Sequence, residues 1–202
     1  MKCPATDPDF ARSGVHGADA QLRLMRSVLA LIPGERRGAI DAGAHIGTWT
    51  VPLAARFSFV DAFEPHAPNF ECIEKNAGQL INVTLHPVAL GSQQGRCRIM
   101  NLGANSGCGF ATQGGDALVM PLDEFNFVDI DFIKIDVEGY EGHVLAGARS
   151  LLARCRPAVF FEDNGVGLAN YGAAWIDPKA ILADFGYVRK ARIAKNELWC
   201  FE

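Results

Sequence analysis

Residues 39–48 read Ala39-Ile40-Asp41-Ala42-Gly43-Ala44-His45-Ile46-Gly47-Thr48. An apolar run enters a glycine turn, and a second apolar run leaves it. That is the pattern of a strand, a tight turn and the start of a helix. Glycines let the backbone approach a ligand closely, and a helix N-terminus offers unpaired N–H groups. A tight turn without a ligand produces the same local pattern. The spacing narrows the ligand class. A dinucleotide pyrophosphate is cradled by GxGxxG. Here the arrangement is DxGxxxG, from Asp41 through Gly43 to Gly47, which suits a pyrophosphate poorly. His45 stands inside the turn, and histidine tolerates left-handed backbone better than most residues.

Downstream the pattern repeats as alternating strands and helices. Gly38 to Ala42 reads as a strand and Ile46 to Arg56 as a helix. Phe57 to Phe63 is the next strand, and Ala67 to Ala77 the next helix. The second strand runs into Glu64-Pro65. An acid about 20 positions past the turn can accept the ribose hydroxyls of a nucleoside. A carboxylate capping the following helix is the alternative role. Val83 to Leu90 reads as a third strand, whose end at Ala89-Leu90 offers a small apolar edge for a base. Residues 91–115 are rich in Gly, Ser, Asn and Gln, with one weak strand at Cys97 to Met100, and suggest a hairpin or lid-like loop. Upstream, residues 1–20 form a polar lead-in, and Gln21 to Leu31 carries apolar residues at helical spacing.

The second half holds the charged strand ends. Asp131-Phe132-Ile133-Lys134-Ile135-Asp136-Val137-Glu138-Gly139-Tyr140-Glu141 places Lys134, Asp136 and Glu138 at or just past a strand end. Ligands in open α/β sheets bind outside the carboxyl ends of the strands. Charge there is costly unless it is paired or faces a cleft. A Lys134–Asp136 ion pair with Glu138 at a helix start is the structural alternative. A helix follows over Glu141 to Ala153. The next strand, Pro157 to Phe161, ends in Glu162-Asp163-Asn164. Asp136, Glu162 and Asp163 would meet if the two strands are neighbours, and oxygen donors of this kind suit Mg²⁺. An acidic turn without metal accounts for them equally. Pro178 to Asp184 reads as a helix, and Tyr187 to Ile193 with Leu198 to Phe201 as a closing hairpin.

Composition excludes several classes. The 202-residue chain has a net charge of −4, and its longest basic run is Arg36-Arg37, which argues against a nucleic-acid footprint. No apolar run reaches the roughly 18 residues of a spanning helix, and the start lacks a secretory apolar region. Cysteines at 3, 72, 97, 108, 155 and 200 form no CxxC pair, so they read as reduced thiols in a cytoplasmic protein.

The glycine turn resembles the first motif of class I methyltransferases, in which it sits under the methionine portion of the cofactor. Taken together, several segments resemble the FkbM-type methyltransferase family. They are IDAGAHIGTWT (40–50), AFEPHAPNFECIEKNAG (62–78), VTLHPVALGSQQG (83–95), VMPLDEF (119–125), DFIKIDVEGYEGHVLAGARSLL (131–152) and RPAVFFED (156–163). The resemblance implies an α/β class I methyltransferase fold. That fold has a seven-stranded, mostly parallel sheet with helices on both faces and an antiparallel C-terminal hairpin. Its layout is one domain over 1–202, with a lead-in and helix (1–37), a cofactor-binding core (38–163) and a C-terminal helix and hairpin (164–202).

The resemblance further implies S-adenosylmethionine as cofactor. By position, Asp41, Gly43, His45, Gly47 and Thr48 lie at its methionine end, and Glu64, with Pro65 beside it, at its ribose. Ala89 and Leu90 fall to the base. Asn105 and Ser106 are implied as loop residues lining cofactor or acceptor, and Lys134, Asp136 and Glu138 as the acceptor-facing catalytic set. The expected reaction is methyl transfer to a hydroxyl of a small molecule or sugar, with Asp136 or Glu138 taking the proton. Mg²⁺ on Asp136, Glu162 and Asp163 would instead acidify the hydroxyl. Two other classes stay open: a nicotinamide-dependent oxidoreductase, and a non-catalytic nucleoside-binding protein that keeps the fold.

Overall fold

The computed structural model describes residues 8–32, 34–101 and 109–202. Helix α1 (Pro8–Ala30) leads into β1 (Gly38–Ala42), α2 (Thr50–Ala54), β2 (Phe59–Phe63), α3 (Ala67–Ala77) and β3 (Val83–His86). Four short strands follow: β4 (Ala89–Leu90), β5 (Gly95–Asn101), β6 (Gly109–Gln113) and β7 (Ala117–Met120). A 3₁₀ turn at Leu122–Phe125 then reaches β8 (Ile130–Ile135), α4 (Glu141–Ala146), α5 (Arg149–Cys155) and β9 (Ala158–Glu162). The chain closes with α6 (Val166–Tyr171), α7 (Pro178–Asp184), β10 (Tyr187–Ile193) and β11 (Asn196–Phe201).

Seven strands form the main sheet in the order β10-β11-β9-β8-β1-β2-β3. The five from β9 to β3 are parallel, and the hairpin β10–β11 adds its second strand antiparallel to β9. This is the expected α/β class I fold. The chain leaves β1 toward β2 and β3, then returns to pair β8 on the other side of β1. The order therefore reverses between β1 and β8, and a crevice opens at their carboxyl ends.

Period-two alternation assigns the two faces. Ile40, Ala42, Ile133, Ile135, Val159 and Phe161 join Val144, Leu145, Leu151, Leu152, Ile181 and Leu182 in one core. Ala39, Phe132, Ala158 and Phe160 join Met25, Val28, Leu29, Trp49 and Leu53 in another. Helices α4, α5 and α7 thus cover one face, and α1 and α2 the other.

Several elements differ from the sequence reading. Helix α1 begins at Pro8, inside the expected lead-in. The helix expected over 46–56 is regular only from Thr50, because Gly47 holds φ at +93°. The long third strand is two strands. Proline has no N–H for a ladder, and past Pro87 the chain leaves the main sheet, so β4 pairs with β7 instead. The glycine-rich region does form a hairpin, β5–β6, within a second sheet of order β4-β7-β5-β6. The single helix expected over 141–153 breaks into α4 and α5 at Gly147. There a Cβ would lie 2.0 Å from the Gly91 carbonyl oxygen, so the two backbones meet where the helix breaks.

That break leaves α5 with Ala148 as its N-cap and no side chain of its own to cap it. Asp123, from the 3₁₀ turn, fills the role: its carboxylate accepts from Ser150 N–H and Leu151 N–H, both at 2.9 Å. Replacing Asp123 with Ala should cost about 1–2 kcal/mol of unfolding free energy, measured by urea denaturation. Asp123→Asn, which keeps an acceptor, should lose less than half of that.

Candidate active site

At the switch point Asp41 is fully buried. It accepts from the Thr50 hydroxyl at 2.7 Å and lies 3.1 Å from Lys134 Nζ. The same ammonium donates to the Gly43 carbonyl at 2.7 Å and stands 3.7 Å from Asp136. Burial works against the charge on Lys134, but Asp41 and Asp136 outweigh it and hold its pKa above the usual lysine range. The Lys134–Asp136 pair expected as the structural alternative exists, yet it is the longer of two contacts. Asp41 is the main partner.

The turn after β1 owes its glycines to packing. A Cβ on Gly43, at φ +75°, would lie 1.9 Å from the Asp136 carbonyl oxygen. One on Gly47 would press to 3.1 Å against Ile73 of α3. His45 takes φ +53°, the left-handed conformation its residue type tolerates. Its N–H donates to Glu64 Oε2 at 2.9 Å, and the His66 N–H donates to Oε1 at 2.9 Å. Glu64 therefore braces two turns at once. Burial raises its carboxyl above the ordinary range, and the two backbone N–H groups partly offset this. The Asn69 amide also donates to Oε1, at 3.5 Å, so the oxygen with a lone pair left to accept a hydroxyl is Oε2.

Gly43, His45, Thr48, Glu64, Pro65, Ala89, Leu90, Lys134, Asp136 and Glu138 all line one cleft of about 230 Å³. Asp41 and Gly47 support it without lining it. Asn105 and Ser106 lie outside the described residues. The cleft also takes Gln21 from α1, Trp49, Asn69 from α3, Ile99 from β5 and Tyr140. None of these was singled out by the sequence reading. Trp49 is only 3% exposed and packs in the core, so burial concealed its second role. Gln21 looks like an ordinary polar residue on an amphipathic helix.

The acid set beside the cleft is Asp136, Glu138 and Glu162, each with a carboxylate oxygen within 4.8 Å of the others. Glu138 thus takes the place expected for Asp163, which points to Lys179 Nζ at 3.1 Å. Glu162 meets Lys195 Nζ at 2.5 Å and the Asn164 amide at 2.7 Å. Glu162 and Asp163 line a second cavity of about 220 Å³ with Glu141, Gly167 and Trp175. Glu138 stands at φ +54°, rare for a non-glycine residue. Burial, then Asp136 and Glu162, push its carboxyl up to about 7. Its conformation is held from below. Glu141 is 4% exposed, and its Oε1 accepts from Val137 N–H at 3.2 Å and Gly139 N–H at 3.1 Å. The Asn170 amide donates to the Glu138 carbonyl at 3.2 Å.

Burial raises Glu141 to about 7 as well, from 4.5. A carboxyl that binds its proton more tightly when folded contributes stability below pH 4.5, and that contribution is lost as pH rises through 7. Glu141→Gln keeps an acceptor for the turn and carries no proton to lose. Its stability should match that of the parent near pH 4.5 and exceed it by roughly 3 kcal/mol above pH 7. Denaturation at both pH values checks this.

The profile of the Methyltransferase FkbM domain matches residues 41–188. Methyltransferase FkbM from Methylobacillus flagellatus KT is similar in structure at TM-score 0.54 and 19% identity, over 85% of this chain and 45% of that one. The chain thus spans less than half the length of that protein. A candidate methyltransferase from Streptococcus mutans, in complex with SAH, is similar at TM-score 0.54 and 14% identity, over 89% and 95% of the two chains. N-methyltransferase NodS from Bradyrhizobium japonicum WM9 is similar at TM-score 0.52 and 10% identity, over 91% and 96%. At these identities the likeness is one of fold. No curated protein matches the sequence. No helix among the described residues is long and apolar enough to cross a membrane. With a profile match that runs from Asp41 at the end of β1 to Val188 in β10, the chain belongs to the FkbM methyltransferase domain family, a family of S-adenosylmethionine-dependent enzymes.

Proposed function

We propose that this domain transfers a methyl group from S-adenosylmethionine to a hydroxyl of a small molecule or sugar, with Glu138 as the general base. The observation that carries the reading is the shared cleft. It joins a carboxylate with an oxygen open to a ribose hydroxyl, Glu64, to a carboxylate poised near neutrality, Glu138. When bound, the cofactor supplies an electrophilic methyl on a positively charged sulfur.

The side chains divide the remaining work. Glu64 accepts the ribose hydroxyls, and Ala89 and Leu90 give the base an apolar edge. The turn from Gly43 to Thr48 borders the methionine end. Glu138 takes the acceptor hydroxyl proton as the oxygen attacks, the new O–C bond forms and the S–C bond breaks. A base with pKa near the working pH is well matched to this task. Asp136 suits it less, because its carboxylate faces the charged Lys134 and its side chain is 42% exposed. Its part is to raise Glu138 by repulsion. Lys134 acts on both by position. Mg²⁺ enters no step of this scheme. The chain's own groups already engage the acids: Lys195 and Asn164 on Glu162, Lys179 on Asp163, and Lys134 on Asp136.

The test is methyl transfer from labelled cofactor to a panel of sugars and hydroxylated small molecules. Glu138→Gln should bind S-adenosylhomocysteine as tightly as the parent and lose turnover by roughly 10²- to 10⁴-fold. The parent rate should rise tenfold per pH unit up to about 7 and then level off. Glu162→Gln, which removes a neighbouring negative charge, should move that limb to lower pH. Full turnover in Glu138→Gln would sink the assignment. Cofactor binding without transfer to any hydroxyl would favour a non-catalytic nucleoside-binding protein.

A further inference from the structure

Among the described residues, helix α1 contributes one polar side chain to the cleft, Gln21, and the fixed chemistry of its neighbour orients it. Trp49 Nε1 donates to Gln21 Oε1 at 2.7 Å. An indole N–H can only donate, so the amide oxygen must face the tryptophan. The ring itself cannot swing away. It stacks on Phe160 at 5.3 Å and Phe132 at 6.4 Å, and it is 3% exposed. The amide nitrogen of Gln21 therefore faces elsewhere. Its two N–H groups have no hydrogen-bond partner among the described residues, although the residue lines the cleft.

Such a group recognises an acceptor. The amide oxygen is turned to the indole, so the nitrogen is the end left for a ligand, and it can only donate. The carbonyl of Gly43 already receives Lys134 at 2.7 Å and is less free to receive a positive ligand group. Lys134 is itself held by Asp41 and Asp136, so a negative group would meet the Gln21 amide. Moving from Leu90 through Glu64 to the turn at Gly43, the base, the ribose and then the amino-acid tail of the cofactor follow in order. Trp49 directly follows Thr48 at the end of that turn, and Gln21 is bonded to it, which puts the amide on the tail side.

We propose that the Gln21 side-chain amide donates to the carboxylate of the cofactor's methionyl tail, so that helix α1 is part of the cofactor site. This rests on reading the cleft as the cofactor site, and it assigns Gln21 a binding role that is separate from catalysis. Trp49 serves it as a positioning residue.

Two ligands separate the tail from the rest of the cofactor. S-adenosylhomocysteine carries the carboxylate. 5′-Methylthioadenosine keeps the adenosine and the thioether and lacks it. Calorimetric titration of the full chain with each should show Gln21→Leu weakening S-adenosylhomocysteine by roughly ten-fold or more, with 5′-methylthioadenosine unchanged. Gln21→Glu keeps an acceptor for Trp49 and sets a negative charge against the tail. It should weaken S-adenosylhomocysteine further, again sparing 5′-methylthioadenosine. Equal losses for both ligands would overturn the proposal and make Gln21 a support for Trp49 alone. Unchanged affinity of both variants for S-adenosylhomocysteine would overturn it as well. A parent protein that binds neither ligand would instead overturn the reading of the cleft itself.

Discussion

The ion pair between Lys134 and Asp41 is the contact on which the site depends. Both groups are buried, at 4% and 0% exposure, where an unpaired charge would be severely penalised. They are Cα partners across the parallel ladder, Asp41 on β1 and Lys134 on β8. A one-residue slip would send both side chains to the opposite face, into the core of Ile40, Ala42, Ile133 and Ile135. The pair thus fixes the register of the two strands that flank the switch point. Three further bonds extend it. Thr50 ties Asp41 to the first turn of α2, the Gly43 carbonyl ties Lys134 to the glycine turn, and Asp136 ties it to the acid segment. One buried cation consequently sets the positions of both lips of the cleft.

Around this anchor, chemically similar carboxylates acquire different properties from their surroundings. Asp41 is paired with a lysine and stays structural. Glu64 is buried, yet it receives two backbone N–H groups and keeps room for hydroxyl donors. Glu141 is buried and spends one oxygen on the N–H groups of the turn it supports. Among the described residues Glu138 has neither a lysine in bonding contact nor a backbone donor, and it has acids on two sides. Of these groups it alone is cleft-facing, raised to about 7 and held in a left-handed backbone conformation. Strain of that kind persists only where the surroundings enforce it. Glu141, Gly139 and Asn170 supply that enforcement.

Much of the fold was legible because its strands are short apolar runs punctuated by Gly, Pro and acids. The order of those runs implied the parallel sheet, and the closing hairpin stood out around Lys195-Asn196. One wall of the cleft was legible for the same reason, since Asp41, Gly43 and Glu64 sit at strand ends. What stayed hidden depended on contacts distant in sequence. Nothing local says that α5 is capped from Asp123, or that Gly147 meets the backbone of Gly91. The short strands from β4 to β7 lie partly on a weak pattern, so a second sheet did not emerge from periodicity. Gln21 acquires meaning only when α1 packs against Trp49. Asp163 and Glu138 exchanged places in the acid cluster because side chains on consecutive residues point to opposite sides, which composition does not reveal.

The glycine signature itself carries a lesson about motifs. Gly43 is demanded by the carbonyl of Asp136, and Gly47 by its φ of +93°. Both reasons lie in the protein. A nucleoside-binding turn and a turn that merely lets β8 approach β1 would therefore keep the same glycines. What the turn adds is a bond to the next strand end: it brings the His45 N–H within 2.9 Å of Glu64 Oε2. The motif is thus a geometric precondition. The turn places an amide where an acid from the neighbouring strand can be held facing the cleft. The geometry of the cleft belongs to the pair of strand ends acting together, with the buried lysine keeping the whole arrangement in register.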